Sequence, residues 1–139
     1  MDEIKIGVVG YSAQKFDEPE AVRMLREAYD TIDSQYAGKS KAVVSGLTDL
    51  GIPALAYREA VSRNWRTVGV ACSKAKDYDC FPVDEEQIVG NEWGDESSTF
   101  LKSLDVLVRV GGGNQSMRET AEFRESGRPV FEYDLPAQQ

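Results

Sequence analysis

The stretch Asp105-Val106-Leu107-Val108-Arg109-Val110-Gly111-Gly112-Gly113-Asn114-Gln115-Ser116-Met117-Arg118-Glu119 decides the fold. A short run rich in β-branched residues gives way to three consecutive glycines, then to a polar segment with helical spacing that continues to Ser126. The pattern predicts a strand, a tight turn and a helix. Glycine at such a junction admits positive φ and lets another molecule approach the backbone. The first turn of the helix presents N–H groups without intrahelical partners, at the positive end of the helix dipole. That is a seat for an anion, most commonly a phosphate. Gly111, Gly112, Gly113, Asn114, Gln115 and Ser116 are the expected contacts. Glycines in regular structure cost roughly 0.5–1 kcal/mol each, so this run calls for tight geometry or a ligand.

Two further glycine-bearing turns follow apolar strands. Ile4-Lys5-Ile6-Gly7-Val8-Val9 runs into Gly10-Tyr11-Ser12, and Lys41-Ala42-Val43-Val44 runs into Ser45-Gly46 and on to Gly51. In an open parallel sheet, ligands bind beyond the carboxyl ends of the strands where strand order reverses. If the first strand and the Asp105 strand are neighbours there, Gly10, Tyr11, Ser12, Ser45, Gly46 and Gly51 converge with the Gly111 turn on one site. None of the three turns is a GxGxxG with a following ribose acid, and none is a GxxxxGK[ST] phosphate loop.

Between these strands the spacing is helical. Asp17-Glu18-Pro19-Glu20 opens a helix, with Asp17 as N-cap and Glu20 as the returning acid of a capping box. Ala21, Leu25, Ala28, Ile32 and Tyr36 share one face, and Gly38 gives the stop. Pro53 suits the first turn of a second helix. Arg66 to Cys72 reads as a third strand. Ala75 to Asp79 reads as a loop or one helical turn, and Gln87 to Gly90 as a short strand. Asp95 is the expected N-cap of a helix through Phe100, Leu101 and Leu104. Gly127 ends the helix after the glycine run, Pro129 to Tyr133 forms a last strand, and Leu135 to Gln139 is expected to fray. Trp93 and Phe81 are expected in the core or an interface. The alternation predicts an α/β, three-layer, Rossmann-like fold. Its mostly parallel sheet carries helices on both faces, in one domain over residues 1–139.

Composition narrows function. The chain has 139 residues and a net charge of −8, which argues against a nucleic-acid partner. No apolar run approaches the about 20 residues of a membrane span, and the N-terminus lacks signal-peptide character, so the expectation is a cytoplasmic protein. There is no histidine, which removes imidazole acid–base work and histidine metal ligands. Cys72 and Cys80 have neither CxxC spacing nor zinc-ligand company and read as reduced thiols at strand ends. No metal and no tightly held cofactor is called for. The expected partner is a small nucleotide-like ligand.

Val43-Val44-Ser45-Gly46-Leu47 with Gly51-Ile52 and Ala56 resembles the SGxAxGID…AH signature of DNA-processing protein A. Gly112-Gly113-Asn114-Gln115-Ser116-Met117-Arg118-Glu119 resembles the GGxGTxxE motif of the "lonely guy" proteins, formerly called putative lysine decarboxylases. Both groups lie in one Rossmann-like superfamily, often called SLOG, with molybdenum-cofactor carriers and proposed nucleotide sensors. The resemblance spans Ile4 to about Tyr133. It implies a homo-oligomer and a ligand-binding carrier or sensor, or alternatively a nucleoside 5'-monophosphate phosphoribohydrolase in which Glu119 matches the catalytic acid. The sequence departs from the hydrolase pattern. Gly111 replaces the proline before the glycine pair, and Gln115-Ser116 replaces Gly-Thr. Gly94 to Ser98 holds no arginine where the hydrolases carry a catalytic one. Tyr57 stands where the DNA-processing signature has histidine. Ser116-x-x-Glu119 also fits a capping box, with Ser116 as cap. Whether any reaction is catalysed stays open.

Overall fold

β1 (Glu3–Gly10), β2 (Ser40–Ser45), β3 (Arg66–Ala71), β4 (Glu85–Ile88), β5 (Val106–Val110) and β6 (Val130–Tyr133) alternate with α1 (Glu18–Gln35), α2 (Gly51–Ser62), α3 (Ser97–Lys102) and α4 (Asn114–Glu125). The structure, a computed structural model, describes residues 3–138. The strands form one sheet in the order β4-β3-β2-β1-β5-β6, and every pair is parallel. This is the three-layer, Rossmann-like arrangement that the strand–helix alternation predicts. The chain moves outward from β1 to β4 and then crosses back to place β5 beside β1, with Gly10 opposite Val110. The turns after β1 and β5 therefore leave adjacent strand ends at the reversal of strand order.

Strand pleat sorts the side chains into two cores. Ile4, Ile6 and Val8 of β1 join Val43, Val106, Val108 and Val110 under α1 and α2. Val9, Ala42, Val44, Val68, Val70 and Leu107 face Phe100, Leu101, Leu104 and Phe123 of the α3/α4 layer. The predicted α1 face is buried at Ala21, Leu25, Ala28 and Ile32, while Tyr36 is the half-buried C-cap. Asp17 caps α1 by accepting from Glu20 N at 3.2 Å. The Glu20 carboxylate pairs with Arg23 one turn on, and that pair takes the place of the expected capping box.

Four local expectations differ from the structure. β4 covers Glu85–Ile88, two residues before the predicted strand, and is mostly exposed. It is an edge strand, laddered to β3 and anchored by bonds between Thr67 and Asp84 and by charge. Arg66 donates to Glu3 Oε1 at 2.8 Å and to Glu85 Oε1 at 2.9 Å, tying three strands together. Asp95 does not cap α3. It accepts from Asn91 N and Glu92 N, both at 3.0 Å, and so organises the Gly90–Gly94 loop, while α3 begins without a side-chain cap. Residues 135–138 are not frayed. Leu135 is buried, its carbonyl accepts from Tyr11 Oη at 2.8 Å, and Gln138 N donates to Lys15 O at 2.7 Å. Gln139 lies outside the described residues. Trp93 is 51% exposed and so belongs to neither core; Phe81 does pack, against Tyr57 with ring centroids 5.0 Å apart. Cys72 and Cys80 are free thiols.

Candidate functional site

Beyond the carboxyl ends of β1, β2 and β3 lies a cavity of about 380 Å³. Three chain segments meet in its wall: Val8 to Gln14, Ser45 to Thr48, and Gly113 to Ser116. The far side is made by Val70, Ala71 and Ala75 and by Trp93, Glu96 and Phe100, with Glu119 one helical turn into α4. Of the residues expected from sequence, the cavity collects Gly10, Tyr11, Ser12, Ser45, Gly46, Gly113, Asn114, Gln115, Ser116 and Glu119. Gly51, Gly111 and Gly112 are not in its wall. Leu47 and Thr48 come with the turn from Ser45 to Gly51, whereas sequence reasoning gave no place in the site to Trp93 or Phe100. The signal for Trp93 was present, an aromatic beside the flexible pair Gly90 and Gly94, both at positive φ.

The glycines divide by purpose. Gly111 and Gly112 adopt φ of +60° and +115°. A Cβ on Gly111 would stand 2.5 Å from the Tyr11 ring, and one on Gly112 would stand 2.6 Å from Ser116 Cβ. These two shape the turn. Gly51 is held likewise, since its Cβ would lie 2.3 Å from Tyr11 O, the atom that accepts from Ile52 N at 2.8 Å. That carbonyl occupies the start of α2. Gly46 and Gly113 differ from all three. Neither has positive φ, a Cβ on Gly113 meets nothing within 4 Å, and one on Gly46 meets only Pro53 Cγ at 4.0 Å. Both line the cavity, so neither backbone strain nor protein packing requires a glycine at these two places.

The start of α4 is uncapped by any side chain, and its first backbone bond is Met117 N to Gly113 O at 3.1 Å. The amides of Asn114, Gln115 and Ser116 precede that closure. The capping-box alternative does not hold: Ser116 is inside the helix, and its hydroxyl donates to Gly10 O at 3.3 Å. Glu119 accepts instead from Ser97 Oγ at 2.6 Å and from Gln115 Nε2 at 3.3 Å. Gln115 Nε2 also donates to Glu96 Oε2 at 3.2 Å. Burial pushes the Glu119 carboxyl above the usual carboxylate range. The bonds from Ser97 and Gln115 pull it down, Glu96 pushes it up, and Arg118 pulls it down weakly.

The Ser45 hydroxyl is turned away from the cavity to donate to Val8 O at 2.6 Å. The loop it begins is fixed by Tyr57, whose hydroxyl accepts from Ser45 N at 3.1 Å and lies 2.6 Å from Gly46 O and 2.9 Å from Val68 O. A tyrosine at this place therefore has a structural use. Arg109 points out of the site. Its guanidinium donates to Gly111 O at 2.9 Å and Asp134 Oδ1 at 2.8 Å. Among the described lining residues, Glu96 and Glu119 are the only charged ones. Among the described residues no group of three His, Cys, Asp or Glu is placed to hold a metal, and no helix is long and apolar enough to cross a membrane.

No family model matches the chain, and no curated protein matches it. Solved structures do. The molybdenum cofactor carrier protein of Chlamydomonas reinhardtii aligns with a TM-score of 0.73 at 24% identity, over 94% of this chain and 76% of that one. The molybdenum cofactor binding protein of the phototrophic bacterium Rippkaea orientalis aligns with a TM-score of 0.76 at 21% identity, over 95% and 77%. The structural-genomics target TM1055 aligns with a TM-score of 0.71 at 22% identity, over 91% and 72%. At these identities the likeness is one of fold. Molybdenum-cofactor carriers are one of the groups in the superfamily that the sequence resembles.

Proposed function

We propose that this chain binds a nucleotide or nucleotide-like phosphorylated small molecule, as a carrier or sensor, with the phosphate at the start of α4. The observation that carries this reading is the pair Gly46 and Gly113. Each lacks a side chain where neither conformation nor packing forbids one, and each borders the cavity whose wall also carries the uncapped start of α4 at residues 114–116. Backbone N–H groups at a helix start bind phosphate without a basic side chain. Two proteins of the same fold are described as a carrier and a binder of a cofactor, which agrees with a binding role. Calorimetry and thermal-shift titration with AMP, cyclic nucleotides, ADP-ribose and molybdopterin test the proposal. Ligand-dependent stabilisation is the expected result. No response to any of them at millimolar concentration overturns it.

A second reading, hydrolysis of a nucleoside 5'-monophosphate, draws on one observation: Glu119 lines the cavity with its proton affinity raised. Such chemistry also needs stabilisation of charge at the ribosyl centre and the leaving base. No described lining residue is an arginine or lysine. Release of free base from a nucleoside monophosphate, abolished in Glu119→Gln, would establish this reading; absence of turnover with AMP, GMP, CMP and UMP removes it.

A further inference from the structure

The two acids of the cavity wall share one donor. Gln115 Nε2 bonds Glu96 Oε2 at 3.2 Å and Glu119 Oε2 at 3.3 Å, and each acid is only 8% exposed. Two carboxyl groups are thus buried within hydrogen-bond reach of the same nitrogen, where like charges oppose each other. Gln115 is also the second residue of α4, where the backbone amides stand uncapped. It joins the proposed phosphate seat directly to the acid pair. An anion arriving there adds negative charge to a wall that holds no described lysine or arginine.

The other groups around Glu119 offer little relief. The loop before α3 brings Glu96 and, further along the chain, Asp95 and Glu92, which are engaged by loop amides and by Lys74. α3 brings Ser97 and, at its far end, the exposed Lys102. On α4 itself, Arg118 and Glu122 are exposed, and the pull of Arg118 is the smallest of the influences on Glu119. Arg109 of β5 turns to Gly111 O and Asp134, and Glu132 of β6 bonds Arg109 and Arg124. The β1 turn brings the Tyr11 phenol, which donates to Leu135 O, and the lining residues of the β2 turn carry no charge. Ser97 suits a group that changes its protonation. Its hydroxyl, 2.6 Å from Glu119 Oε2, can donate to the carboxylate or accept from the carboxylic acid without moving.

We propose that the cavity takes up its anion together with a proton, held on Glu119, so that binding tightens as pH falls. This linkage rests on the phosphate-binding reading. Burial already raises the proton affinity of the Glu119 carboxyl, and a bound anion raises it further. Below the value in the free protein, Glu119 is neutral before the ligand arrives and affinity is highest. Above it, each ligand either draws in a proton or meets a second carboxylate, and affinity declines as pH rises.

The probes must not titrate themselves, since a phosphate monoester changes charge at about pH 6. Cyclic AMP and inorganic sulfate keep a fixed charge. Calorimetry with each, in buffers of different ionisation enthalpy across a pH series, gives affinity and protons exchanged for the unsubstituted protein. The expected result is net uptake of up to about one proton per ligand, with affinity falling by up to about tenfold per pH unit. Glu119→Gln is expected to bind with nearly constant affinity across the series and without proton uptake. Binding without proton uptake at any pH, or an undiminished pH dependence in Glu119→Gln, overturns the linkage and leaves the phosphate-binding reading standing. A dependence that survives in Glu119→Gln and disappears in Glu96→Gln puts the proton on the other acid and overturns the assignment. If neither anion binds at millimolar concentration at any pH, the linkage falls together with the phosphate seat beneath it.

Discussion

The Ser97 hydroxyl donates to Glu119 at 2.6 Å and so joins the first residue of α3 to the middle of α4. The bond supports a carboxylate that burial disfavours, and burial is the larger influence: the carboxyl is held above the usual range despite the downward pull of the Ser97 and Gln115 bonds and of Arg118, with Glu96 adding to the rise.

Because the folded-state pKa of Glu119 lies above the unfolded one, folding favours its protonated form. The stabilising contribution is complete below the ordinary value of 4.5 and is lost as pH rises through the raised folded value. Glu119→Gln cannot ionise, and its amide oxygen can still accept from Ser97. Its Tm should match that of the parent protein in acid and exceed it at neutral pH. Thermal melts across that window check this; a difference independent of pH would contradict it.

The division among the glycines predicts opposite outcomes for the same substitution. Gly46→Ala and Gly113→Ala should leave stability unchanged or raise it by up to about 1 kcal/mol, since the native conformations accept alanine. Both should weaken ligand binding about tenfold or more, because each new methyl enters the cavity, at Gly113 directly beside the start of α4. Gly111→Ala should destabilise by about 2 kcal/mol or more, from its positive φ and the Tyr11 ring 2.5 Å away. Urea unfolding alongside calorimetry separates the two effects.

Tyr57 is fully buried, and its hydroxyl serves three backbone groups. Tyr57→Phe removes the acceptor of Ser45 N and the one donor that Gly46 O and Val68 O share. A loss of about 2 kcal/mol in urea unfolding is expected. Binding should weaken as well, since the loop carrying Gly46 loses its anchor.

Arg109 is buried, yet Asp134, one of its partners, is 96% exposed at the side chain and is resolvated when the pair is broken. The cost of Arg109→Met is therefore set by the lost bond to Gly111 O, about 1–2 kcal/mol, and not by a stranded charge. Amide exchange should speed up at Gly111, whose N–H bonds Tyr133 O at 2.8 Å. Unchanged protection there would show that the guanidinium does not brace the turn.

The parts of the fold that carry their own period were legible in the sequence. Ile4 to Val9, Val106 to Val110 and the α1 face announce themselves because each buries a regular apolar set. Asp17 was legible because its cap is local. β4 differs from the expected strand because Glu-Glu-Gln-Ile at a sheet edge has no apolar alternation, and its contacts are made with Thr67 and Arg66 of another strand. Asp95 and Ser116 both have residues nearby in sequence that fit caps, but Asp95 turns back to the amides of Asn91 and Glu92 in the preceding loop, and Ser116 finds Gly10 O, a partner that only tertiary structure supplies. At the site, the convergence of three turns followed from topology. The roles of individual glycines did not, because a φ angle and a neighbour's distance are invisible in a run of identical letters. Trp93, expected in the core or an interface, is half-exposed at the cavity wall, since size alone says nothing of where a loop lies.

The contact between Tyr11 and the Leu135 carbonyl spans a sequence separation of 124. Residues 11–14 edge the cavity from the first turn, and part of what steadies this segment, the bonds from Tyr11 to Leu135 O and from Gln138 N to Lys15 O, arrives with residues 135–138. Closing so long a loop is slow compared with forming the local helices. During synthesis or refolding the β1–β2 pair can assemble well before this wall is pinned. Binding competence should therefore lag behind the appearance of secondary structure, and an early-stage chain would present an unsettled rim to its ligand.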